Sequence, residues 1–82
     1  MGDQEKISAL EDLITKLTDV QHSYQAVIEK MARLQMEAEE VEPELAEKLQ
    51  PAFQDTSKDH ETVSGLVQDL QFKVNQLRNE AS

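Results

Sequence analysis

From Ile7 to Ala38 the apolar residues of this chain recur in steps of three and four: Ile7, Leu10, Ile14, Leu17, Tyr24, Ile28, Met31 and Ala38, with Gln21 and Gln35 as polar exceptions. That spacing is the a/d register of a heptad α-helix, and it excludes a strand, whose side chains alternate in twos. A second row runs beside it every seven residues, at Leu13, Val20, Val27, Leu34 and Val41, all g positions. Two-stranded coiled coils usually carry charge at g. An a/d/g stripe is wide enough to face two neighbouring helices, so it points to a bundle. No Gly or Pro interrupts residues 3 to 42. Asp3 suits an N-cap, and Asp12–Lys16 and Glu29–Arg33 are spaced for i,i+4 ion pairs on the outer face. A first helix is expected over about residues 3–40.

The second half repeats the register less regularly. Val63, Val67, Leu70, Val74, Leu77 and Ala81 step by four and three, and Leu66 adds one g position to the stripe. Backward extension gives His60, Thr56, Phe53, Leu49 and Ala46, so the phase persists while its residues turn polar. A second helix is expected over about 51–80. It either runs unbroken from Pro51 or restarts near Ser57 or Asp59, which suit a cap. Gly65 weakens a helix interior by roughly 1 kcal/mol relative to Ala. Such a residue can serve the close approach of a neighbouring backbone. The polar core positions Gln21, Gln35, Thr56 and His60 fit a role in fixing register.

Between the two helices lies "EAEEVEPELAEKLQP", residues 37 to 51, with six glutamates and both prolines of the chain. Proline lacks an amide donor, collides with the carbonyl four residues back, and pushes its predecessor out of the α region. The expected arrangement is a corner over 41–50 containing a short helix from Pro43 to Leu49, with a fresh start at Pro51, since proline suits a first helical position. Leu45 and Leu49 would close the end of the core. Glu37, Glu39, Glu40, Glu42, Glu44 and Glu47 form an acidic patch. Such a run is ordinarily solvated surface; its functional alternative is a site for a basic partner.

These lengths give arms of roughly 55 and 45 Å at 1.5 Å per residue. A short corner makes them antiparallel neighbours. The expected fold is therefore all-α: one domain over 1–82, an antiparallel helical hairpin. One neighbour covers only the a/d seam, so closing the g row calls for a second hairpin and a homodimeric four-helix bundle. The alternatives are a monomeric three-helix bundle, if the second arm breaks near Ser57, or a hairpin whose open face belongs to a helical partner from a different protein. With 82 residues, three aromatics and no Trp or Cys, the chain is near the lower limit for a self-sufficient core, and association is a common remedy.

Composition narrows the function. Seventeen acidic against eight basic residues give a net charge of −9, which repels phosphate backbones and anionic lipid, so no nucleic-acid or membrane partner is expected. No apolar run approaches the roughly 20 residues of a bilayer span. The start "MGDQEKISAL" lacks a signal-peptide pattern, and Lys6 replaces the Ser or Thr that myristoylation of Gly2 wants. A cytoplasmic location is the expectation. There is no Gly-rich phosphate loop. Ser57, Asp59 and His60 do not converge on a helix. Asp19 and His22 fall at f and b, away from the bundle interior where di-metal proteins place their ligands. We therefore expect no enzyme, cofactor or metal. The expected function is protein–protein interaction by a small helical chaperone, adaptor or assembly subunit. Its contact surface would be the stripe of Leu13, Val20, Val27, Leu34, Val41 and Leu66, with Phe72 at f as a further possible contact. The alternative is an acidic regulator or inhibitor that presents the glutamate corner to a basic partner.

Overall fold

The computed structural model of the chain describes residues 3–81, and the side chains of residues 3–80. The Gly2 reading and the seam position of the Ala81 side chain lie outside the described residues. Two α-helices of equal length, α1 (Asp3–Val41) and α2 (Pro43–Ala81), pack against each other as a hairpin, 39 residues in each arm. The molecule measures 60 × 16 × 14 Å, as expected of two helices that each rise 1.5 Å per residue and lie side by side.

Glu42 alone turns the chain. Its N–H donates to the Ala38 carbonyl at 2.7 Å, which completes α1, and its own carbonyl accepts from the N–H groups of Leu45 (3.0 Å) and Ala46 (3.3 Å), which starts α2. The following Pro43 excludes Glu42 from the α region and supplies the first helical residue of α2, where a missing N–H is harmless. No residue here needs a positive φ.

The expected corner over 41–50 does not form. Its short helix is the first turns of α2, and α2 runs unbroken through Pro51 and Ser57. An interior proline disfavours a helix by about 3 kcal/mol. Two things offset it. Pro51 is exposed, at an f position opposite the seam, so the bond it removes opens the outer side, the sense in which a surface helix already curves. Reversal at Pro51 would also make the arms unequal and leave Ile7, Leu10, Ile14 and Leu17 without a partner. Reversal at Glu42 pairs the whole seam.

Every described a and d residue, from Ile7 to Ala38 and from Ala46 to Leu77, is buried or half-buried. Yet among the described residues only Ile7, Ala38, Ala46, Val67 and Val74 are buried, and no large side chain is completely enclosed. Gln21 Nε2 donates to Ser64 Oγ across the seam at 2.8 Å, and Gln35 Nε2 donates to the Ala46 carbonyl at 2.8 Å. Thr56 instead donates back to the Ala52 carbonyl of its own helix. On the surface Lys16 meets Asp12 at 3.0 Å, while Glu29 accepts from Gln25. Gly65 serves no close approach, because a Cβ there would meet nothing within 4 Å.

Candidate functional site

The two faces of the hairpin differ, and the heptad register explains how. In an antiparallel pair the e rows of both helices border one face of the seam, and the g rows border the other. The e face is identified by the ion pair of Arg78 and Glu11 (2.7 Å), both e residues, and by the Gln21–Ser64 bond beside it. Four small e residues, Thr18, Ala32, Ser57 and Ser64, are half-buried. Every described g residue is exposed. The helices are thus rolled towards their e sides and lift the g rows out of the seam.

Exposure at g is unusual because of what stands there. On α1 the row is Leu13 (48% exposed), Val20 (42%), Val27 (44%), Leu34 (45%) and Val41 (83%); on α2 it includes Leu66 (47%). Antiparallel register brings the α2 row alongside, so Leu45 (43%) and Ala52 extend the same face near the turn. A shallow groove of about 370 Å³, lined by Val20, Ser23, Tyr24, Val27 and Thr56, runs along its middle. The whole stripe named from the sequence therefore falls on one open face. Leu45, expected in the core, lies on this face; it precedes Ala46 at a, so the register already marked it as g.

The remaining candidates lie elsewhere. Phe72 is 69% exposed at an f position of α2, away from the apolar face. All six corner glutamates are exposed, spread over the end of α1, the turn and the start of α2. Asp19 and His22 point into solvent, as does Asp59, while His60 is half-buried in the seam. Among the described residues no three His, Asp or Glu side chains converge on one point, and no helix is long and apolar enough to cross a membrane. A second open groove, of about 400 Å³, lies on the e face, lined by Glu11, Thr15, Gln71, Asn75 and Arg78 together with the seam residues Ile14 and Val74.

Comparison of the chain with protein-family models, curated proteins and solved structures found no match.

Proposed function

We propose that this protein is a non-enzymatic protein–protein interaction module that works through its g face, and that the face closes by self-association into a four-helix bundle. The observation that carries the reading is the unpaired apolar row itself. A half-exposed Val or Leu retains about 1 kcal/mol of hydrophobic stabilisation still to be gained, and Leu13, Val20, Val27, Leu34 and Leu66 each stand in that state.

Area supports the same reading. A compact monomer of 9.3 kDa exposes about 5000 Å², whereas this hairpin exposes 6134 Å². The excess is comparable with the roughly 800 Å² per partner that a stable interface buries. The radius of gyration of 18.4 Å likewise exceeds the roughly 12 Å of a compact domain of this length. Fusion of two hairpins along their apolar faces would enclose the side chains that one hairpin leaves half-open.

Sedimentation at low and high salt tests the proposal. Apolar association should persist in 1 M salt, where the screening length is about 3 Å, and should tighten as repulsion between chains of charge −9 is screened. A chain that remains monomeric at millimolar concentration and instead captures a basic protein only at low salt would favour the acidic-regulator reading.

A further inference from the structure

Self-association leaves two ways to stack the hairpins, with their turns at the same end or at opposite ends. The charges on the open face and on its two rims distinguish them. Two bonds set the level of one arm against the other: Gln21 Nε2 donates to Ser64 Oγ at 2.8 Å, and about four turns further on Gln35 Nε2 donates to Gln50 Oε1 at 3.4 Å. At that level the g rows set Lys6 beside Glu80, Val20 beside Leu66, Leu34 beside Ala52 and Val41 beside Leu45. The two remaining levels set Leu13 beside Lys73 and Val27 beside Asp59. The c rows lie next outward from g and form the rims of the face. Lys16 on one rim is level with Asp69 on the other, Lys30 with Asp55, and Glu37 with Lys48, all exposed. The uncharged Ala9 and Ser23 are level with the uncharged Gln76 and Thr62. Each charge on the α1 rim thus has its opposite at the same height on the α2 rim, across the width of the face.

We infer that the partner on this face is a second copy of the chain, related by a twofold axis parallel to the helices, with both turns at the same end of the dimer. This inference rests on the interaction-module reading and gives it a geometry. Such an axis lays α1 against the partner's α2 at unchanged height, so residues that are level within one hairpin meet between two, and symmetry makes each contact twice. On the rims Lys16 meets the partner's Asp69, Lys30 the partner's Asp55, and Glu37 the partner's Lys48. At the open end Lys6 meets the partner's Glu80. Lys16 already meets Asp12 of its own helix and gains a second acid. Along the g rows Val20 covers the partner's Leu66, Leu34 the partner's Ala52, and Val41 the partner's Leu45. Asp59 and Lys73 are the exceptions, since they face the partner's Val27 and Leu13. Each stands one turn from an opposite charge, Asp59 from the partner's Lys30 and Lys73 from Asp69 of its own helix. Opposed turns lose the match. At full overlap Lys16 faces the partner's Lys30, Asp55 faces the partner's Asp69, and all four g charges face apolar residues. A shift that pairs Asp59 with the partner's Lys73 uncovers Val41 and Leu45, sets Lys6 and Glu80 against Leu34 and Ala52, and makes no rim pair. The opposite shift sets Asp59 against its own copy. The 60 × 16 Å face is large enough for the roughly 800 Å² per partner of a stable dimer.

The chain has no Cys, so single-cysteine variants report which residues meet. Val20→Cys and Leu66→Cys chains, refolded together and oxidised, should form a mixed covalent dimer, because facing residues come within the roughly 7 Å that a disulfide spans. Neither chain should cross-link with itself. Asp55→Lys should weaken dimerisation roughly fivefold by placing like charges together at two symmetric sites. It should do so although it brings the net charge nearer zero, a change that by itself would favour association. Adding Lys30→Asp should restore affinity to within about twofold at the original net charge. Leu66→Cys chains that cross-link with themselves, or a sedimenting dimer in which the mixed disulfide does not form, would overturn the geometry and leave the interaction reading intact. An Asp55→Lys chain that dimerises as tightly as wild type would do the same. A wild-type chain that sediments as a monomer at millimolar concentration would overturn both.

Discussion

On the e face of the hairpin four small residues, Thr18, Ala32, Ser57 and Ser64, are half-buried beside the seam, and the Arg78–Glu11 pair and the Gln21–Ser64 bond bridge the arms, with an open groove left around Thr15 and Asn75. On the g face Leu13, Val20, Val27 and Leu34 stand exposed. Both faces border the same seam and belong to the same two helices. Small side chains let the backbones approach and take polar contacts inward; branched apolar ones cannot fit there and are rolled outward. The difference is the ground for proposing a partner on the g face alone: its eight apolar residues outnumber its four charges, Lys6, Asp59, Lys73 and Glu80.

Substitutions break this comparison to different degrees. The largest effect belongs to the seam that both faces share. Val67→Asp places a carboxylate at a buried position with no basic partner on a seam neighbour, and should cost more than about 3 kcal/mol. Circular dichroism should show loss of most helix signal, at any protein concentration. Leu17→Ala and Ile28→Ala remove large seam side chains that are half-buried in the hairpin, so each should cost about 2 kcal/mol or somewhat more. Glu40→Ala on the exposed surface should lie within about 0.5 kcal/mol of wild type. Equal denaturation midpoints for the three would contradict the register on which both faces are defined.

Smaller effects sharpen the account. Gly65→Ala should stabilise the protein by up to about 1 kcal/mol, since a Cβ there meets nothing and the helix gains a better former; urea unfolding measures it, and destabilisation would reveal a neighbour on that side. A small effect is also expected on the e face. Arg78→Gln removes an ion pair whose side chains are about half exposed, and should cost at most about 1 kcal/mol without changing the solution mass.

Much of this was legible in the sequence because a heptad register is a geometric statement. Once Ile7, Leu10 and Ile14 are on one line, helix geometry places every later a, d and g residue, and the seam observed follows that line to Leu77. The turn was less legible. Pro43 and Pro51 obey the same local rule, yet Pro43 begins a helix and Pro51 sits inside one. The choice between them is made by the pairing of Ile7 to Leu17 with the far end of α2, a contact across the whole chain that no local propensity encodes. Leu45, by contrast, was legible: it precedes Ala46 at a, so the register places it in the g row on the open face. The roll of both helices towards their e sides also depends on pairing, although small e residues opposite branched g residues were a readable sign of it. Gln35 marks a remaining imperfection: its Oε1 is buried without a partner while its Nε2 is bonded. Gln35→Leu should therefore be tolerated or mildly stabilising, by about 1 kcal/mol at most, and thermal unfolding would detect it.

The measurement that bears most directly on the central claim, that the g face is an interface and the e face is not, is sedimentation equilibrium of three chains at matched concentration. The wild type is compared with Val20→Glu/Val27→Glu on the g face and with Thr18→Glu/Gln25→Glu on the e face. Both doubles add the same charge to the same helix two turns apart. The account predicts a dimeric wild type, a monomeric g-face double that keeps more helix signal than Leu17→Glu, and an e-face double that is still dimeric. A monomeric wild type, or two doubles that dissociate equally, would contradict it.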